Sequence, residues 1–226
     1  MTRLEPKHPL PIRIFHWLNV PLLAVMLWSG LLIYWANDIY KIRFGEITIV
    51  DFFPDPFYQA LNVGHRLAEG MALHFTFMWA FALNGVLYGA YTVWSGEWRL
   101  LIPNRSTLAE AWQVVRHDLG LSKEPLPRRK FNGAQRLAYT GVMMMGAGSV
   151  ITGLAIFRPV QLSWLTRLLG GYPLARLEHF ALTIGYIVFF CIHIAQVARA
   201  GWNNFRAMVI GVEVAKDEEV FHGIAD

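Results

Sequence analysis

Eight histidines stand in this chain of 226 residues, and their surroundings divide them into two groups. His8, His65, His117 and His222 lie among charged or polar segments, whereas His16, His74, His179 and His193 lie in long stretches free of Asp, Glu, Lys and Arg. A neutral imidazole is a good metal ligand and titrates near neutral pH. In an apolar segment it is costly to leave without a partner, so four such residues ask for a shared purpose. A single one would be read as a packed helix residue bridging to its neighbour. Four point to metal ligation, with hydrogen-bonded helix bridging as the bland alternative.

The stretches that must position these histidines are residues 14–37, 70–96, 137–157 and 179–198, which hold 24, 27, 21 and 20 residues. About 20 apolar residues suffice to cross the hydrocarbon core of a bilayer as a helix. The chain is 55% hydrophobic and only 16% charged, against about 25% charged in soluble domains. The expected fold is an all-α membrane protein, a four-transmembrane-helix bundle with spans at about 13–36, 70–94, 137–157 and 177–199 in a single domain of residues 1–226. Disorder, a coiled coil and a secreted disulfide scaffold are excluded. The lone Cys191 allows no disulfide within the chain and no Cys-based zinc or iron–sulfur site. The first apolar run is too long for a signal sequence and lacks a small-residue exit, so span one is expected to be retained.

Between the spans the sequence is polar and aromatic. The prolines of Asp51-Phe52-Phe53-Pro54-Asp55-Pro56 argue against helix there. Thr107 and Glu110 have capping-box spacing, and Leu108, Trp112, Val115 and Leu119 follow at helical intervals. An amphipathic helix over about 107–119 is expected, lying on the membrane surface or, alternatively, docking a partner. The C-terminal Trp202, Phe205, Met208 and Val209 beside Arg199 and Arg206 read the same way. No internal repeat appears.

The net charge of +4 does not indicate nucleic acid here, because basic residues in a membrane protein first report topology. Fourteen of the 20 Lys and Arg residues fall in the N-terminal tail, the 95–136 connection and the C-terminal tail. Both termini are therefore expected in the cytoplasm. With that orientation, His16 lies near the cytoplasmic start of span one and His74 in the outer part of span two. His179 lies near the outer end of span four, and His193 follows 14 residues later, roughly 21 Å along the helix and on nearly the same face. The depths match in pairs, His16 with His193 and His74 with His179.

Two stacked pairs of imidazoles in a helix bundle suit two haems, each held on both axial faces. Such a site leaves no open iron position and favours electron transfer. The absence of Cys-x-x-Cys-His makes the expected cofactors two non-covalent, bis-histidine haem b groups. Zinc or a di-metal centre is disfavoured because the charge-free stretches that hold these histidines contain no carboxylate. Gly30, Gly85, Gly89, Gly141, Gly146, Gly148, Gly153 and Gly185 would let a flat macrocycle approach, although glycine also serves ordinary helix packing. Arg13 and Arg199 would pair with propionates of the inner haem, and Arg66 and Arg176 outside; each reads equally as a snorkelling anchor. Met143-Met144-Met145 face different directions and read as packing.

Longer motifs carry a family resemblance. His8-Pro9, Arg13, His16-Trp17 and Asn19, then Leu73-His74-Phe75-Thr76-Phe77-Met78-Trp79, Leu83-Asn84-Gly85, Tyr88, Ser95-Gly96 and Trp98-Arg99, then His179-Phe180 and His193, resemble bacterial di-haem cytochrome b membrane subunits. The pattern is similar to the thiosulfate reductase cytochrome b subunit, and more distantly to the formate dehydrogenase gamma subunit and the b-type cytochrome of nickel–iron hydrogenases. The resemblance covers nearly the whole chain, is least clear over 37–64, and shows no departure at the four histidines. It implies a quinone-reactive anchor in the bacterial inner membrane that links the quinone pool to a catalytic oxidoreductase subunit, often a molybdopterin enzyme. It also implies that quinone chemistry sits at the cytoplasmic haem. Asn19, Asn84 and Gln196 would be polar quinone contacts or interhelical hydrogen bonds. The rival readings are a stand-alone superoxide or metal-chelate oxidoreductase of the same fold, and a small transporter using the histidines as a proton relay. The latter usually shows inverted repeats, and none is visible.

Overall fold

The computed structural model describes residues 2–37, 40–123 and 131–216. His222 and the basic Arg128, Arg129 and Lys130 lie outside the described residues. Four helices are long and apolar enough to cross a membrane: α1 (Leu10–Tyr34), α3 (Leu67–Trp94), α6 (Gly133–Phe157) and α8 (Tyr172–Ile210). They coincide with the four expected spans; each begins a few residues earlier than expected, α1 ends two residues sooner and α8 continues eleven residues further. Short helices fill the connections: α2 (Asp55–Leu61), α4 (Trp98–Leu101), α5 (Thr107–Asp118) and α7 (Ser163–Leu168). Most of the surface of the long helices is apolar and uncovered, with Trp79, Leu83, Val86, Val93 and Met144 all exposed. Helices that are apolar all round suit hydrocarbon rather than water as their solvent.

No strand is expected from the sequence pattern, yet two antiparallel ribbons are present. Strand β1 (Thr2–Pro6) pairs with β4 (Val212–Lys216), and β2 (Lys41–Phe44) pairs with β3 (Ile47–Asp51). Neither ribbon stands out in a single sequence, because its strands are short and one pairing joins opposite ends of the chain. The proline expectation also needs correction. Pro54 caps α2 and Pro56 occupies its first turn, where a missing N–H costs nothing. At α5 the helix is in place, but its start is not a Thr107–Glu110 box. Ser106 donates to Glu110 Oε1 at 2.7 Å, and Thr107 Oγ1 accepts from the Asn104 amide at 2.8 Å. A reciprocal box forms instead at the start of α6, where Asn132 and Gln135 exchange backbone-to-side-chain bonds of 2.9 and 3.0 Å.

The chain falls into two compact units, and every long helix contributes to both. One unit comprises residues 1–16, 86–148 and 184–226; the other comprises 17–85 and 149–183. In the second unit, Leu32, Tyr58 and Val63 form one buried cluster, and Ala155, Leu165 and Ala175 another. There α1 and α3 run so close that a Cβ on Gly70 would lie 2.7 Å from the Leu32 Cβ. In the first unit, α5 buries Thr107, Ala111 and Val114 and exposes Leu108, Trp112, Val115 and Leu119. Gly201 adopts φ 79°, ψ 176°, which breaks α8 into a long helix and a short amphipathic one. The short helix is tied back through the β1–β4 ribbon, with Lys7 Nζ bonded to Asn204 Oδ1 at 3.1 Å and to Glu213 Oε2 at 2.5 Å.

Candidate functional site

Each unit contains one of the expected histidine pairs. In the second, α3 supplies His74 and α8 supplies His179; their ring centroids lie 6.2 Å apart with planes inclined by 74°. In the first, α1 supplies His16 and α8 supplies His193, with centroids 6.1 Å apart and planes inclined by 58°. Two imidazoles binding one metal from opposite sides at about 2.0 Å place their centroids roughly 6 Å apart once the ring half-widths are added. A direct ring-to-ring hydrogen bond of about 2.9 Å would draw the centroids to roughly 5 Å. Both observed separations match the metal-spanning distance and exceed the hydrogen-bonded one. Among the described residues no group of three or more His, Cys, Asp or Glu gathers at a common point. Two imidazoles facing each other at this distance could hold a metal whose remaining positions belong to a macrocycle.

The second-unit pair is held by two hydroxyls that do not stand out among the candidate residues of the sequence. Ser29 Oγ lies 2.9 Å from His74 Nδ1, and Thr152 Oγ1 lies 2.8 Å from His179 Nδ1. Each hydroxyl donates to the carbonyl three residues earlier, Met26 at 3.1 Å and Ser149 at 3.4 Å. With its one proton directed there, each oxygen accepts from the imidazole. In that arrangement each Nδ1 carries the proton, and each Nε2 keeps a lone pair for a metal. Ser29 and Thr152 are almost wholly buried. The signal in the sequence is a repeated hydroxyl–glycine dipeptide, Ser29-Gly30 and Thr152-Gly153. It is a weak one, because a helical Ser or Thr commonly bonds the carbonyl one turn back.

Two of the eight candidate glycines lie against the paired histidine rings. A Cβ on Gly153 would sit 3.3 Å from His179 Cε1, and one on Gly30 would sit 3.9 Å from His74 Cε1. A Cβ on Gly85, Gly89 or Gly141 would meet no atom within 4 Å. Gly146 and Gly185 serve side-chain packing instead, against Tyr186 and Met145.

The first-unit pair is framed differently. His193 stacks on Phe189 at 5.8 Å and 7°, one turn earlier on α8. Phe15, beside His16, meets Tyr88 and Tyr91 at 6.0 and 6.3 Å. Arg13 and Arg199, the two arginines expected at the inner haem, belong to this unit, whereas Arg66 and Arg176 belong to the other. Arg13, one turn before His16, donates to the Val209 carbonyl, and its Nε is buried without a hydrogen-bond partner among the described residues. Arg199 Nη1 donates to the Asp118 carbonyl at 2.9 Å, with Nη2 3.4 Å from Asp118 Oδ1. Gln196 donates to Asp118 Oδ2 at 2.9 Å, and Asn84 is buried in the second unit.

The sequence profile of the prokaryotic cytochrome b561 family matches residues 7–211. This chain belongs to that family. A relative from Azospira oryzae, named "Putative protein-methionine-sulfoxide reductase subunit YedZ1", is 30% identical over 194 residues, which cover 84% of this chain and 89% of the relative. A cytochrome b561 of this prokaryotic kind carries b-type haem. With four apolar spanning helices, it is a multi-pass protein of the bacterial inner membrane and a membrane cytochrome of electron transport.

Proposed function

We propose that this cytochrome b561 is the di-haem membrane subunit of an oxidoreductase complex, relaying electrons between the quinone pool and a catalytic partner in a respiratory chain. The observation that carries the reading is the pair of imidazole separations, 6.2 and 6.1 Å, one within each unit. When bound, a b-type haem supplies a reversible one-electron iron couple. His74 and His179 would hold one haem, and His16 and His193 would hold the other. Two imidazoles per haem would leave the iron no open position for oxygen chemistry and would suit it to electron transfer. The long helices supply the low-dielectric wall that excludes water. Arg13 and Arg199 are the propionate partners at the first-unit site; the buried Nε of Arg13 is a donor still available for one.

The partner is a catalytic oxidoreductase subunit, and the name of the Azospira relative, a reductase subunit, supports one for this chain. The family resemblance favours a partner of the molybdopterin class. Both termini face the cytoplasm, in line with the distribution of Lys and Arg. The purified chain, assembled with haem, is expected to bind two b haems per polypeptide and to be reduced by a quinol analogue. His179→Ala and His193→Ala are each expected to remove one haem, and different ones. Loss of both haems from either folded variant, or of neither, would overturn the assignment. Quinol oxidation coupled directly to superoxide or metal-chelate turnover by the isolated chain would favour the stand-alone oxidoreductase instead.

A further inference from the structure

The third long helix, α6, contributes no histidine, yet Thr152 and Gly153 on it lie against His179 as Ser29 and Gly30 on α1 lie against His74. We infer that Ser29 and Thr152 are a matched pair of positioning residues that fix the tautomer and tune the redox potential of one haem, the His74/His179 site, without acting on the other. The inference rests on the proposed ligation of that haem by His74 and His179.

A hydroxyl has one proton, and at both positions it is directed at the carbonyl three residues back. What remains is an acceptor 2.9 or 2.8 Å from Nδ1. An imidazole that donates through Nδ1 is fixed in orientation and is a more basic ligand at Nε2. A more basic axial ligand favours ferric over ferrous iron, so the two hydroxyls lower the potential of this site. A neutral hydroxyl does so less than a carboxylate would, because it draws the proton less strongly. Gly153 has a steric role as well, since a side chain there would press on the His179 ring from 3.3 Å. The first-unit site lacks this device at His193, whose ring is stacked on Phe189 and makes no hydrogen bond among the described residues.

The test is a redox titration and a low-temperature electron paramagnetic resonance spectrum of the haem-loaded full chain carrying Ser29→Ala or Thr152→Val. Both substitutions remove a hydroxyl without adding bulk. Each is expected to raise the midpoint potential of one haem, the same haem in both variants, and to shift the low-spin ferric signal of that haem alone. Ser29→Thr and Thr152→Ser, which keep the hydroxyl, are expected to restore the wild-type values. If Ser29→Ala instead sheds a single haem while Ser29→Thr keeps it, the positioning role also stands. Unchanged potentials and signals in both hydroxyl-free variants would overturn the inference, as would shifts that fall on different haems. His74→Ala separates the two levels. If it removes one haem while Ser29→Ala and Thr152→Val change nothing, only the positioning role fails. If His74→Ala leaves both haems bound, the ligation reading itself fails.

Discussion

The His74/His179 and His16/His193 pairs have nearly the same ring separation and quite different surroundings. In the second unit both imidazoles are hydrogen-bonded through Nδ1 to buried hydroxyls and flanked by glycines. In the first, His193 is stacked on an aromatic ring, and Arg13 and Arg199 lie one or two turns from the ligands, bound to Val209 and Asp118. The first arrangement fixes the ligands through directional bonds in an apolar setting. The second fixes them through packing and places positive charge nearby. Positive charge close to a haem favours the reduced state, whereas hydrogen bonds that make the imidazole more basic favour the oxidised one. On the proposed ligation, the two sites are expected to differ in potential, the second-unit site being the lower.

The comparison breaks most sharply at the ligands. Replacing both His74 and His179 with Ala is expected to leave one haem, the higher-potential one, measured as haem per polypeptide and by redox titration. The corresponding His16 and His193 double variant should leave the lower-potential haem. Next comes steric invasion of one site. Gly153→Val carries its Cβ to 3.3 Å from His179 Cε1 and should deplete the second-unit haem while sparing the other.

A smaller effect belongs to the helix crossing that holds the second-unit frame. Gly70→Ala places a Cβ 2.7 Å from that of Leu32, an overpacking that typically costs about 1–3 kcal/mol. It should lower the thermal midpoint in detergent and loosen the Ser29–His74 contact on the neighbouring turn of α1. The smallest effect is expected at the terminal clasp of the first unit. Lys7 and Glu213 are about one-third exposed, so Glu213→Gln should cost about 1 kcal/mol or less. Its thermal shift should shrink in high salt, and both haem potentials should stay fixed. A large potential shift in that variant would mean that the clasp, and not packing around Phe189, positions the first-unit ligands.

The main features of this protein are legible in its sequence because they depend on composition along the chain. Four charge-free stretches become four long helices, since a bilayer leaves backbone groups few ways to be satisfied other than a helix. The spacing of His179 and His193 needs only helical periodicity. The α5 helix emerges where Leu108, Trp112, Val115 and Leu119 mark it, and those residues form its exposed side. Other features are hidden for identifiable reasons. The β1–β4 ribbon joins residues about two hundred positions apart, beyond the reach of any local pattern. Pro56 looks like a helix breaker because its cost depends on whether it stands inside a helix or in the first turn. Thr107 and Glu110 have the spacing of a box that Asn132 and Gln135 form instead, since spacing alone does not say which side chains are free to turn back.

By itself the sequence determined the solvent, the number of spans and the identity of the four histidines, because these follow from hydrophobicity and from the expense of a polar ring in hydrocarbon. The tertiary structure decided what each ring touches. It brings the imidazoles of each pair to within 6.1 or 6.2 Å and places Ser29 and Thr152 behind only one pair. A hydroxyl inside a helix bonds its own backbone whether or not a histidine stands beside it. Only the packing of a second helix at hydrogen-bonding distance turns that local habit into a contact that orients a histidine ring.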